Sequence, residues 1–340
     1  MRKKISIIAF FLLFLTSMIY IFNNNTTMFE DCEILLKKNY TKLAEKNVIE
    51  CYNLVAIKYA NNKSPEDTLN YLKKYIKNTK KIELIDCHSI LHSIGSKFYE
   101  IYKSKSLIPN IEICSYGYYH GIFQEANIKS IDNYNQIINK ICINKVGENL
   151  NFCKAAVSHG FGHFLSNSNY ALFEALKKCD LILNEIAIEK ENCAYGVVME
   201  KIELSDEKIN LNSCLNNLSN DIIAGCLLGL GQHSLKNNIN FIDSCPDNSL
   251  TLLYEKCSRG LGFAIASSLL YNLNNNYNIN EYTNNMIREC ANNKSCSSGA
   301  GSILTSTIRN LDTALSYCKK YFEIKNCSDA VNKLANLENI

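Results

Sequence analysis

The chain has no tryptophan, three prolines and almost no excess of either charge, with 36 basic residues against 33 acidic ones and a formal net charge of +3. Lysines and acids are interleaved, and no basic arm or cluster stands out. That excludes the electrostatic footprint of a nucleic-acid binder. No stretch rich in Pro, Gly or Ser offers a linker at which to divide the chain. Sixteen cysteines are present, yet none forms a C-x-x-C pair, which excludes zinc ribbons, thioredoxin-type sites and c-type haem attachment together. The G-x-G-x-x-G of dinucleotide sites and the G-x-S-x-G elbow of serine hydrolases are also missing.

What the sequence does have begins at its N-terminus. Arg2, Lys3 and Lys4 precede an apolar run from Ile5 to Phe22, followed by a polar stretch over 23–27. A basic start and an apolar core form an export signal. The run is near the short end of a membrane span of about 20 residues, and no A-x-A-like cleavage site follows. Residues 1–28 therefore read as a retained signal anchor, with the basic residues on the cytoplasmic side and residues 5–22 in the membrane, or as a removed signal peptide. Both place the remainder outside the cytoplasm. In that setting an even number of cysteines reads as a disulfide framework.

The cysteines mark a repeat. C-x-x-small recurs as CSYG, CKAA, CAYG, CLLG, CSRG and CSSG, starting at Cys114, Cys153, Cys193, Cys226, Cys257 and Cys296, 31 to 40 residues apart, with a degenerate CSDA at Cys327. Each opens a helical run of small and apolar residues. A polar turn follows, then an amphipathic segment such as YALFEALKKC, which ends in a further cysteine. The unit is helix A, turn, helix B, and the fold class is all-α: stacked α/α hairpins, as a superhelix or toroid. Local spacing predicts the pairs Cys142/Cys153, Cys179/Cys193, Cys214/Cys226, Cys245/Cys257, Cys290/Cys296 and Cys318/Cys327, each joining a helix B to the next helix A. The local rule leaves Cys32, Cys51, Cys87 and Cys114 unassigned, and of their three possible connectivities we take Cys32/Cys51 with Cys87/Cys114. Residues 29–340 read as one extracytoplasmic domain, with N-terminal helices over 29–86 and cysteine-rich repeats over 87–340. In SPEDTLNYLKKYI, Ser64 is a helix N-cap, with Pro65 at the first helical position and acids in the first turn.

The passage ALKKCD…CAYG (175–180, 193–196) resembles the cysteine-stapled Sel1-like repeats, relatives of the tetratricopeptide repeats, in layout over roughly residues 114–330. The resemblance implies a right-handed α/α superhelix that binds a protein, peptide or other ligand on its concave face. Two features depart from it. The loops between cysteines are longer here, and the Sel1-like pattern has no recurrent histidine.

Histidine does recur here. All six (His88, His92, His120, His159, His163 and His233) fall within ten residues after a helix-A cysteine, counting Cys87 as a variant opening. His88/His92 and His159/His163 each stand one helical turn apart on one face. If the A helices share one wall, these rings can converge, and imidazole-rich ligation suits one zinc, copper or iron ion. Neither His-x-x-x-His pair carries the glutamate that zinc peptidases use as base. Glu125, Glu200 and Glu203 lie at corresponding helix-A positions as candidate ligands or proton carriers. Tyr116, Tyr118 and Tyr119 beside His120 read as core or rim. The glycines of HGFGH, and of GLG at 229–231 and 260–262, read as points of close helix approach. Three functions fit: a binding scaffold with a histidine-held metal, a metal-dependent enzyme using Glu125 or Glu200, or a structural envelope protein whose histidines are core.

Overall fold

A computed structural model describes residues 29, 32, 42–78, 87–109, 114, 117–126, 131–168, 170–183, 187–204, 209–215, 218–233, 245–246, 251–274, 279, 281–308 and 310–338. The apolar run at 5–22, Tyr116 and the side chain of Glu203 lie outside these. Among the described residues regular structure is helical throughout, without a strand, and no helix there is long and apolar enough to cross a membrane.

The chain forms two units, residues 1–62 and 63–340. In the first, helix α1 (Lys42–Asn62) carries Cys51, which bridges to Cys32. Beside that bridge the Tyr52 ring stacks on Phe29 with centres 5.1 Å apart.

The second unit opens with α2 (Pro65–Asn78). Its start is the one the sequence predicts. The Ser64 hydroxyl accepts from the Asp67 N–H at 3.0 Å and donates to the Asp67 carboxylate at 2.7 Å. There follow α3 (Cys87–Tyr102), a 3-10 turn (Lys103–Ser106), α4 (Gly117–Glu125), α5 (Ile131–Ile141), α6 (Gly147–Asn167), α7 (Leu172–Ile182) and α8 (Ala187–Leu204). The rest are α9 (Leu211–Cys214), α10 (Asn220–His233), α11 (Thr251–Asn274), α12 (Glu281–Ala291), α13 (Lys294–Ile308), α14 (Leu311–Tyr321) and α15 (Ile324–Glu338). Short polar caps start several of them. Asn210 and Ser213 cap each other reciprocally at α9, and Asn310 accepts from the Thr313 N–H at α14.

The long apolar helices pack in file: α3 on α4, then α6, α8, α10, α11, α13 and α15, with α13 also touching α3. The amphipathic helices α5, α7, α9, α12 and α14 pack against this file. Their cysteines bridge to it: Cys142–Cys153, Cys179–Cys193, Cys214–Cys226, Cys290–Cys296 and Cys318–Cys327, with Cys245–Cys257 joining a loop to α11. Cys87–Cys114 joins the start of α3 to the residues before α4. Six of these pairs are the ones expected from local spacing, Cys32–Cys51 and Cys87–Cys114 match the pairing read for the four cysteines that spacing left unassigned, and none of the cysteines is free.

Glycine sets how closely the file packs. A Cβ on Gly162 would run into the Cys193 carbonyl, and one on Gly196 into the His159 carbonyl, so α6 and α8 meet backbone to backbone. The same fit recurs where Gly231 meets Cys257, Gly260 meets Leu228 and Gly262 meets Cys296. Close approach explains why these helices carry glycine despite its cost of about 1 kcal/mol relative to alanine in a helix interior.

Candidate metal centre

Five of the six histidines gather where α3, α4 and α6 meet. Ring centres lie 4.8 Å apart for His88–His120, 4.8 Å for His120–His159 and 4.8 Å for His159–His163. His92 is 5.8 Å from His163 and 6.4 Å from His120. The glycines bring them together. Gly117 is pressed on the His88 carbonyl, Gly121 on that of His92, Gly160 on the His120 Cα and Gly196 on the His159 carbonyl. Helices this close leave imidazoles of neighbouring helices nowhere to go but against one another.

His120, His159 and His163 are 4%, 6% and 7% exposed. Burial holds His120 and His159 well below the usual imidazole range, and repulsion from the surrounding imidazoles adds to it. His92, less covered but poorly solvated, is lowered to about 3 by burial and then by His163 and His88. His92, His120 and His159 are therefore neutral near pH 7, the state a metal needs.

Hydrogen-bond partners fix where each proton sits. The His88 Nδ1–H donates to the Cys114 carbonyl at 3.0 Å, which leaves a lone pair on Nε2. That lone pair accepts from the His120 Nδ1–H at 3.1 Å. His120 Nε2 is then a second lone pair, fully buried and without a partner. On the far side the His163 Nδ1–H donates to the Glu200 carboxylate at 2.7 Å. Burial opposes charge on Glu200, but the hydrogen bond from His163, with help from Asn167, outweighs it and holds the carboxyl below its usual range.

The His163 Nε2 lone pair faces His159 Nε2 at 3.1 Å. His159 can donate from Nε2, which leaves its buried Nδ1 without a hydrogen-bond partner. It can instead donate from Nδ1 towards the Asn192 backbone, which lies near hydrogen-bonding reach, and then two lone pairs oppose each other. With His163 neutral, either arrangement leaves a nitrogen unsatisfied, at a cost of about 1–3 kcal/mol; a protonated His163 paired with Glu200 would instead donate to His159 Nε2 and satisfy both rings. A cation between the two nitrogens removes the conflict. Two nitrogens on one tetrahedral zinc with bonds of 2.0–2.1 Å stand about 3.3 Å apart, close to the 3.1 Å seen here. One ring nitrogen from each of His120, His159 and His163 lies within 4.8 Å of the other two. The widest gap closes by about 1.5 Å of side-chain movement to reach bonding geometry. The carboxylate behind His163 is the outer partner that metal-binding histidines commonly have.

Protein-family models, curated proteins and solved structures alike give no match to this chain.

The remaining candidates fall outside this centre. His233 is buried near the end of α10 and is not one of the three converging histidines. Glu125 is exposed and accepts from Ser96 Oγ at 2.9 Å, so it is a surface acid rather than a proton carrier for the buried rings. Glu200 is near the site but acts on the outer edge of His163. Tyr118 and Tyr119 are core, their hydroxyls donating to the Ser106 and Ile108 carbonyls at 2.8 and 2.7 Å. Sequence reasoning missed the Tyr195 ring, 4.4 Å from His159. It also missed that the glycines and histidines are one feature.

Proposed function

We propose that the protein is an exported metal-binding protein that holds one transition-metal ion through His120, His159 and His163, buried in the wall of a disulfide-stapled helical stack. The stack is a file of helix hairpins of Sel1-like layout, outside the cytoplasm and tethered by residues 5–22 if they are retained. Eight disulfides support the oxidising compartment. The observation that carries the metal reading is the pair of His159 and His163 nitrogens facing each other at 3.1 Å, with His163 locked by Glu200 behind it. The burial of the rings supports an ion that is held rather than one that meets a bulky substrate.

Metal analysis of protein purified without a histidine tag tests the proposal. The expected result is about one equivalent of zinc, copper or iron per chain, lost in a His159→Ala/His163→Ala variant that still folds. Folded wild-type protein that takes up none of these metals would sink the reading and leave the histidines as core residues.

A further inference from the structure

We infer that His92 is the fourth ligand of this centre, and that His88 is a positioning residue outside it, so the ion sits in a closed shell of four imidazoles. The inference rests on the three-histidine site proposed above and adds its coordination number and ligand class.

The two histidines of α3 differ in what their nitrogens do. Both ring nitrogens of His88 are engaged, Nδ1 with the Cys114 carbonyl and Nε2 with His120 Nδ1. Turning His88 onto an ion would break both bonds and release the proton position that keeps the His120 Nε2 lone pair directed away from His88. His88 therefore orients a ligand. The bridge between Cys87, its neighbour in the chain, and Cys114 holds its anchor in place.

His92, one turn further along α3, lies beside the ligand rings instead. An imidazole bound through nitrogen at about 2.05 Å puts its ring centre about 3.2 Å from the metal, so two rings on one tetrahedral ion have centres about 5.2 Å apart. The spacings for His120–His159, His159–His163, His120–His163, His92–His163 and His92–His120 are 4.8, 4.8, 6.1, 5.8 and 6.4 Å. They bracket that value, and His92 reaches it by moving inward by about 1 Å. Gly121, packed on the His92 carbonyl, fixes its backbone against α4.

Four neutral imidazoles with no inner carboxylate or thiolate suit zinc or another borderline divalent ion. The filled shell leaves no position for a hydrolytic water, as in structural rather than catalytic zinc sites.

Cobalt(II) added to the oxidised, metal-stripped full chain reads the coordination number directly through its visible absorption. Wild type is expected to give the strong bands of a four-coordinate ion. His92→Ala is expected to keep cobalt but lose several-fold in absorption as water enters. His88→Ala is expected to keep the strong bands with affinity lowered 10–100-fold. X-ray absorption on the wild-type complex should count four imidazoles, a measurement that does not depend on any variant folding. Three imidazoles plus an oxygen, or an unchanged spectrum in folded His92→Ala, would overturn the inference while leaving the three-histidine site intact. A wild-type chain that binds no cobalt at all would instead remove the underlying site.

Discussion

At the scale of single residues, the centre depends on where protons sit. Glu200 fixes the His163 proton on Nδ1, and Glu200→Gln keeps an acceptor but removes the charge. Metal affinity should then fall 10–100-fold, measured by competition with a chelator, while the helical content stays the same. The depressed imidazoles also make a prediction for the metal-free protein. Unfolded histidine titrates near 6.5, whereas His92 in the folded chain does so at about 3 and His120 and His159 are shifted in the same direction. Below 6.5 the unfolded chain takes up protons that the folded one refuses, so stability is complete above 6.5 and is lost as pH falls towards 3. Glu200, held low, works in the same direction at the acid end of that range. Melting temperatures of stripped protein should fall steadily from about pH 7.5 to pH 5. A flat or rising profile would contradict the neutral, buried cluster.

At the scale of helices, glycine decides whether the histidines meet. Gly162 sits against the Cys193 carbonyl, on the same stretch of α6 as His159 and His163. Gly162→Ala forces α6 and α8 apart and should cost about 1–3 kcal/mol as an overpacked contact. Because Gly196 sits on the His159 carbonyl across the same interface, the displacement should reach the ligand rings. Thermal unfolding and chelator competition should both report a loss. A variant that melts as wild type does would show that the interface has slack.

At the scale of the whole molecule, stability is distributed over local bridges. Each disulfide closes a short loop, from 6 residues for Cys290–Cys296 to 27 for Cys87–Cys114. Removing Cys179–Cys193, which spans 14 residues, as a double serine variant should destabilise by about 3 kcal/mol in the chain-entropy model, without rearranging the other pairs. Mass mapping of the oxidised protein, with and without that bridge, checks both halves. Every other bridge should remain local.

The sequence by itself determined the helices, the Ser64 cap and six of the eight cysteine pairs. Each of these is decided within a few tens of residues, by periodicity, by a side chain such as Ser64 bonding its own first turn, or by a loop too short to bridge elsewhere. It also marked His88/His92 and His159/His163 as pairs sharing a face. Only the tertiary structure decided which histidines meet. His120 and His159 lie on different helices, and their contact depends on how closely α4 and α6 pack; Glu125 and Glu200, alike in the sequence, end up exposed and buried for the same reason. Proximity between helices is set by what Gly160, Gly162 and Gly196 touch on the neighbouring backbone, and no pattern along one segment carries that information.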